Sequence, residues 1–182
     1  MITSIILVII LVVVAVNEIY NWRTGVPTVA SFPASRRVMA EALIKYLTPN
    51  TDGKPRSIID LGSGNGQLAD KIAREVPDVD VLGIEISTLP WLISSTKQKI
   101  FGPKNLRFRK LDFWLYDCSS IHAVVLYCNG AIIEKVSQKL LTEMKAGGLI
   151  ITNEIPLTAP WQPVEVVDTG FFKMKVYIYR KN

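Results

Sequence analysis

Residues 58–66 read Ile-Ile-Asp-Leu-Gly-Ser-Gly-Asn-Gly, an order suited to cradling a ligand. A short apolar run, Ser57–Leu61, contains Asp60 and leads into glycines at Gly62, Gly64 and Gly66, with Ser63 between the first two. A helical pattern starts at Gln67. Strand, glycine loop and helix together bring backbone N–H groups close to a ligand at a helix N-terminus. The spacing argues against one ligand class. A dinucleotide fingerprint is Gly-x-Gly-x-x-Gly. Gly62 and Gly64 fill its first two places, but Gln67 stands in the third and Gly66 comes one residue early. A second acid follows. Asp80–Glu85 reads as the next strand, and Glu85 lies about 20 residues past the loop, where a βαβ unit sets a carboxylate beside a ribose. An acid after a strand is also a common helix cap. Ser87 can take that role, which leaves Glu85 for the ribose hydroxyls.

A third acid closes the next strand. Asn105–Leu111 alternates apolar and charged residues, as a half-exposed strand does, and Asp112 ends it. Taken together, a Gly-x-Gly-x-Gly loop preceded by Asp60 resembles the first motif of the class I, seven-strand methyltransferases, which bind S-adenosylmethionine. The resemblance implies that Asp60, Gly62, Ser63, Gly64, Gly66 and Glu85 hold that cofactor. Its cationic sulfonium and ammonium suit a nearby carboxylate such as Asp60, and it has no pyrophosphate to be capped by a helix. The resemblance also implies that Asp112 reaches the adenine amino group and that Phe113 lies against the ring. A turn-forming role for Asp112 stands equally open.

These residues need a scaffold, and the rest of the pattern supplies one. Ser35 reads as the N-cap of a helix over Arg36–Leu47. Residues 49–55 read as a loop. After the glycine loop, Leu68–Val76 reads as a crossover helix ended by Pro77. A helix from Pro90, in a first helical position, runs to about Ile100. Ile121–Tyr127 is a continuous apolar run, as expected of a central strand buried on both faces. Ala131–Met144 is helical, with Ile132, Val136, Leu140 and Met144 on one side, and Gly147-Gly148 stops it. Leu149–Asn153 is the fifth strand. Val164–Val167 and Phe172–Tyr179 form a hairpin around Asp168-Thr-Gly170. The expected fold is α/β: a Rossmann-like, seven-strand sheet of five βα units closed by an antiparallel hairpin, preceded by one transmembrane helix.

That last element comes from the front of the chain. The 182 residues are 49% hydrophobic, and Met1 to Val16 carries no charge. A spanning helix needs about 20 mostly apolar residues, near 17 at the least. Tyr20 and Trp22 extend the run if they sit in an interfacial aromatic belt. A secretory signal would begin with basic residues and end in a small-residue cleavage site; this segment has neither. A buried strand would be shorter. The expected organisation is a membrane anchor over residues 1–22, a connector over 23–35 and a methyltransferase domain over 36–182. The first basic residues, Arg23, Arg36 and Arg37, follow the anchor, so the positive-inside rule puts the domain in the cytoplasm.

The net charge of +5 favours anionic headgroups more than it specifies nucleic acid. The densest basic stretch, Lys97 to Lys110, reads as a solvated face, and no nucleic-acid partner is expected. Cys118 and Cys128 are the only cysteines and His122 the only histidine, none at metal-ligand spacing. No metal is expected, and both thiols are expected to be reduced.

From Ser35 onward the chain is similar to class I methyltransferases. Val26-Pro27, Pro33–Ser35, Asp60–Gly64 and Glu85 followed by Pro90-Trp91-Leu92 narrow the likeness. They resemble the small membrane-anchored protein-lysine methyltransferases related to those acting on ATP synthase subunit c and the adenine nucleotide translocase. The chain departs from that group at Asn65, where Asp is usual, and at Cys128-Asn129-Gly130. The resemblance implies a lysine acceptor in a membrane protein. The alternatives are a small-molecule or lipid acceptor, a tethered module that binds cofactor without turnover, or, more remotely, a nicotinamide enzyme. The acceptor is expected at the ends of strands four and five, among Tyr127, Asn129, Asn153, Glu154 and Pro156, with the loop ending at Trp161 and residues 31–35 closing over it. Glu154 and Asn129 are the candidates for positioning it, although Glu154 also reads as a surface acid.

One prediction follows from the apolar run. The full chain should stay with membranes through a high-salt wash, whereas a chain starting near Thr24 should be soluble, because salt screens charge but not apolar burial. Release of the full chain by salt alone would refute the anchor.

Overall fold

The computed structural model describes residues 31–47, 53–170 and 172–182. The expected anchor and most of the connector lie outside them. Among the described residues no helix is long and apolar enough to cross a membrane.

Among the described residues seven strands form one sheet: β1 (Arg56–Leu61), β2 (Val79–Glu85), β3 (Leu106–Lys110), β4 (Ala123–Leu126), β5 (Leu149–Asn153), β6 (Glu165–Asp168) and β7 (Lys175–Arg180). Their spatial order is β3-β2-β1-β4-β5-β7-β6. The first five are parallel, and β7 runs antiparallel between β5 and β6. β4 and β5 are buried along their whole length, as strands covered on both faces are; β4 is apolar throughout, and β5 ends in Thr152 and Asn153.

Helices cover both faces. On one face, α1 (Pro33–Tyr46) and α2 (Gln67–Glu75) pack Val38, Met39, Leu43, Leu68 and Ile72 against Ile58, Val81, Val125 and Ile151. α3 (Thr88–Phe101) joins them over β2 and β3. On the other face, α4 (Ile133–Glu143) sets Val136 and Leu140 against Ile59, Val124 and Ile150. The strand order changes direction at β1 and β4. In open α/β sheets this is where a crevice forms beyond the carboxyl ends of the strands.

Several boundaries differ from expectation. α1 begins at Pro33, not Arg36, because a proline is already set to helical φ at a helix start. Ser35 therefore lies inside the first turn, fully buried, and caps nothing. α3 begins at Thr88, so Pro90 is its third residue. The five expected βα units are not all present. Residues 111–122 hold only a 3₁₀ turn, Phe113–Leu115, and no helix follows β5.

The loop after β5 fills the place of a helix with anchored side chains. Thr152 Oγ1 donates to Ile155 O at 2.8 Å, and Leu157 N donates to Tyr179 Oη at 2.9 Å. Ser137 of α4 is the hub. Its Oγ accepts from Thr158 N at 2.9 Å, and its carbonyl accepts from Trp161 Nε1 at 2.9 Å. Trp161 is 7% exposed and meets Tyr179 edge-on. Trp161→Ala should cost about 3–5 kcal/mol of stability, the usual loss for a buried aromatic. Equilibrium denaturation measures it, and a loss under 1 kcal/mol would show that the loop does not depend on the indole.

Candidate active site

The glycine loop sits where β1 hands over to α2, and its shape is set from below. Gly62, Gly64 and Gly66 all have positive φ, at 77°, 52° and 76°. Phe108 of β3 lies beneath. A Cβ on Gly66 would meet its ring at 2.4 Å, and a Cβ on Gly83 would meet it at 2.4 Å and Ser63 Oγ at 2.8 Å. Two glycines on different elements thus make room for one aromatic ring that props up the loop. Neither Gly83 nor Phe108 was singled out by sequence reasoning. Their signal was there, a glycine inside a strand beside an aromatic in the next.

Four of the loop's backbone donors are already bonded within the protein. Gly62 N and Ser63 N both donate to Ile84 O at 2.9 Å, Gly66 N donates to Ser63 O at 2.8 Å, and Gly64 N donates to Glu85 Oε2 at 2.8 Å. Glu85 Oε1 accepts from Ser87 N at 2.7 Å. The sequence left Glu85 free because Ser87 could cap α3. In the fold the Ser87 hydroxyl caps nothing, and Glu85 ties both its oxygens to backbone N–H groups.

What remains open is a set of side-chain atoms. Asp60 Oδ2 and Ser63 Oγ are buried and meet no hydrogen-bond partner. Asp60 is fully enclosed. Burial raises its carboxyl to a pKa of about 7, the Glu85 charge adds to that, and a hydrogen bond from the Ala69 N–H opposes both. A cation settling against Asp60 would relieve both unfavourable effects. Asp112 caps the 3₁₀ turn, its Oδ1 accepting from Trp114 N at 3.0 Å, so its turn-forming role is realised. Phe113 beside it stacks at a tilt on Trp114, ring centroids 4.6 Å apart.

At the ends of β4 and β5 the structure brings Tyr127 and Glu154 together. The Tyr127 hydroxyl donates to Glu154 Oε2 at 2.6 Å. Burial first and Glu154 second push the Tyr127 hydroxyl up to about 12, so it stays a donor. Glu154 adopts φ of 65°, held by its N–H bond to Lys175 O at 2.7 Å. Such backbone is uncommon for a residue with a side chain and clusters at functional sites. Asn129 Oδ1 accepts from Ala131 N at 3.1 Å, which closes the turn into α4. The expected lid at Trp161 is not there, because its indole is pinned into the core on the far face. The first turn of α1 does reach the site. Arg36 Nη1 donates to Gln67 Oε1 at 2.7 Å and so joins α1 to the residue that follows the glycine loop.

Other candidates resolve into structure. A cleft of about 380 Å³ between α2 and α3 shares Asn65, Gly66 and Gln67 with the loop but includes none of the three acids. His122 Nδ1 accepts from Ser57 N at 3.1 Å. Cys118 and Cys128 are buried, which lifts both thiols to about 11 and leaves them unreactive. Among the described residues no group of His, Cys, Asp or Glu could hold a metal.

Asp60 carries a prediction about stability. Its carboxyl, held near 7 in the fold, keeps a proton that the unfolded chain loses near 3.8. Stability therefore falls as pH rises from about 4 to about 7. Above that the buried charge costs about 4 kcal/mol, at roughly 1.4 kcal/mol per pH unit. Asp60→Asn should raise the denaturation midpoint of the ligand-free protein at pH 8 and leave it near the wild-type value at pH 4. An unchanged midpoint at pH 8 would mean that the fold does not raise the Asp60 carboxyl.

Comparison with known proteins agrees with this architecture. The family model described as the ANTKMT methyltransferase domain matches residues 60–165, more than half of the chain. The adenine nucleotide translocase lysine N-methyltransferase of Mus musculus is 25% identical over 128 residues, covering 69% of this chain and 54% of that protein. Methyltransferase str3 of Strobilurus tenacellus is 33% identical over 90 residues, covering 48% and 30%. The chain thus spans about half the length, or less, of these relatives. Among solved structures, an RNA methyltransferase from Salinibacter ruber in complex with S-adenosylhomocysteine superposes with a TM-score of 0.68 at 20% identity, covering 85% of this chain and 95% of that one. At that identity the likeness concerns the fold, and the fold is the one described here. From Asp60 through the glycine loop to the start of the hairpin, the chain belongs to the ANTKMT methyltransferase domain family.

Proposed function

We propose that the domain binds S-adenosylmethionine at the ends of β1 and β2 and directs its methyl group to a lysine amine of a membrane protein at the ends of β4 and β5. One observation carries the cofactor reading. The loop N–H groups at 62, 63, 64 and 66 are already bonded within the protein, while Asp60 Oδ2 and Ser63 Oγ wait for a partner. That arrangement has little for a pyrophosphate and suits a cation. S-adenosylmethionine, when bound, supplies an electrophilic methyl on a cationic sulfur, next to an ammonium. Asp60 would face that positive charge. Glu85 keeps a second lone pair on each oxygen for the ribose hydroxyls, and its two backbone bonds hold it oriented. Asp112 and Phe113 would flank the adenine.

The chain's task toward the acceptor is to remove water, orient an amine and take a proton. A lysine amine has an ordinary pKa near 10.4 and must be uncharged to attack. Glu154, oriented by the Tyr127 hydroxyl, places a carboxylate where that proton can go. Asn129 shapes the rim beside it. Holding the amine aligned and close can supply most of the acceleration in a displacement of this kind.

The lysine is supported by the activity for which the Mus musculus relative is named, and the membrane by the uncharged run at the front of the chain. In this reading residues 1–22 tether the domain on the cytoplasmic face, where tethering raises the effective concentration of acceptors in that layer.

Incubating the full chain with methyl-labelled S-adenosylmethionine and a membrane extract tests the reading. Label is expected on lysine in a protein band. Label only in lipid or a small metabolite would replace the protein acceptor with that class, and no label would sink the enzyme. Two variants divide the site. Glu85→Ala should weaken cofactor binding by about 1.5–3 kcal/mol in calorimetry. Glu154→Gln should bind the cofactor as wild type does and transfer at least tenfold more slowly.

A further inference from the structure

Asn153, at the end of β5, is 1% exposed, and neither Oδ1 nor Nδ2 meets a partner. Folded proteins leave few buried polar groups unpaired, because the lost water is not replaced. The neighbouring buried hydroxyls of Thr152 and Ser137 are bonded. The fold could have satisfied Asn153 in the same way and does not.

Its position says what it could serve. Side chains alternate along β5, so Asn153 shares a face with Leu149 and Ile151, both in the core cluster under α1 and α2. Ile58 and Val125 belong to the same cluster, which puts Asp60 and Tyr127, two residues further on, on that face as well. The register pairs Leu126 with Thr152, and this sets Asn153 level with Tyr127. α1 packs across β5 and β7. Its last residue is fixed beside their far end, where Arg180 Nη2 donates to Tyr46 O at 2.7 Å. Its first turn therefore lies toward the C-terminal ends of the parallel strands, where Arg36 Nη1 donates to Gln67 Oε1 at 2.7 Å. Ser35 is in that turn, fully buried, and its Oγ too lacks a partner.

Resting on the acceptor reading above, we propose that Asn153, with Ser35, is the subsite that recognises the acceptor's uncharged amine, Asn153 Oδ1 receiving one of its N–H groups. A carboxamide oxygen is a neutral acceptor. It holds an amine while favouring the ammonium less than a second carboxylate would, and so complements a carboxylate that takes the proton. Asn153 Nδ2 and the Ser35 hydroxyl are likewise buried without partners and add a donor and a donor–acceptor to the same subsite. The subsite selects for N–H. A fully methylated nitrogen has none to give, so it is a poor ligand.

The test uses the full chain with Asn153→Leu, which matches the amide in shape, and Ser35→Ala. A structural amide would lower the melting temperature when replaced. An amide left unpaired for a ligand should raise it. In the labelling assay Asn153→Leu should lose at least tenfold in transfer to membrane extract while binding S-adenosylmethionine within twofold of wild type. n-Butylamine, a lysine side-chain probe, should compete with the extract at pH 9 in the wild type, and butyltrimethylammonium should not. A lower melting temperature for Asn153→Leu overturns the proposal, whatever the labelling shows. So does equal competition by the two probes, or a loss of cofactor binding that matches the loss of transfer. Label on lipid instead of lysine would overturn the protein acceptor alone, since the two probes still report on the amine subsite.

Discussion

A carboxylic acid enclosed by the protein without a counter-charge is the constraint around which this site is arranged. Asp60 lies one residue before the end of β1, burial raises it to about 7, and Glu85 stands close enough to push it further. Nothing in the ligand-free fold compensates it except one backbone N–H. The surrounding elements hold this arrangement in place. Phe108 props the loop, Gly66 and Gly83 make room for Phe108, and Glu85 fastens Gly64. Stability is given up at one position so that a cation finds a prepared place, the trade expected where binding energy is to be used for orientation.

The two halves of the crevice solve different problems. The β1–β2 side is closed upon itself, with the backbone N–H groups at 62, 63, 64 and 66 bonded and the Asp60 Oδ2 and Ser63 Oγ atoms left over. The β4–β5 side has its charged groups at the rim, Glu154 with Tyr127, and an unpaired amide behind them. The separation suits a reaction in which one partner brings positive charge and the other must arrive without it. The core on the opposite face has no share in this. Trp161, Tyr179 and Ser137 replace a missing helix with a pinned loop and leave the crevice unencumbered.

The sequence displays the parts of this site that depend on chain-local geometry. Glycines needing positive φ, an acid ending each of three strands, and the apolar runs of β4 and β5 were all readable, because each is set by a few consecutive residues. Parallel strands closed by an antiparallel hairpin followed from the likeness to class I methyltransferases, whereas the order β3-β2-β1-β4-β5-β7-β6 comes from the structure. Contacts between elements distant in the chain were not readable. Ser35 looked like a cap because its type fits one, yet Pro33 had already started the helix. Trp161 looked like a lid because it sits in a loop, yet its N–H finds a carbonyl on α4, 24 residues earlier. Glu85 looked unoccupied because its partner is a backbone N–H, which has no letter in a sequence. Asn153 was one of several polar residues at a strand end. Only the packed structure distinguishes it, since what marks it is the lack of neighbours of the right kind.

The outer strand β3 has a consequence that concerns many molecules at once. It is an open edge of the sheet, and its residues Arg107, Arg109 and Lys110 are exposed and positively charged. An uncovered strand edge is a template on which a second copy could continue the ladder, and charged side chains along it are how folded proteins prevent that. The opposite edge, β6, is only four residues long, with Glu165 engaged by Lys45. Copies concentrated on one surface would meet edge to edge far more often than in dilute solution. Like charge along β3 keeps such encounters brief, so the basic stretch protects the open edge against sheet-to-sheet aggregation.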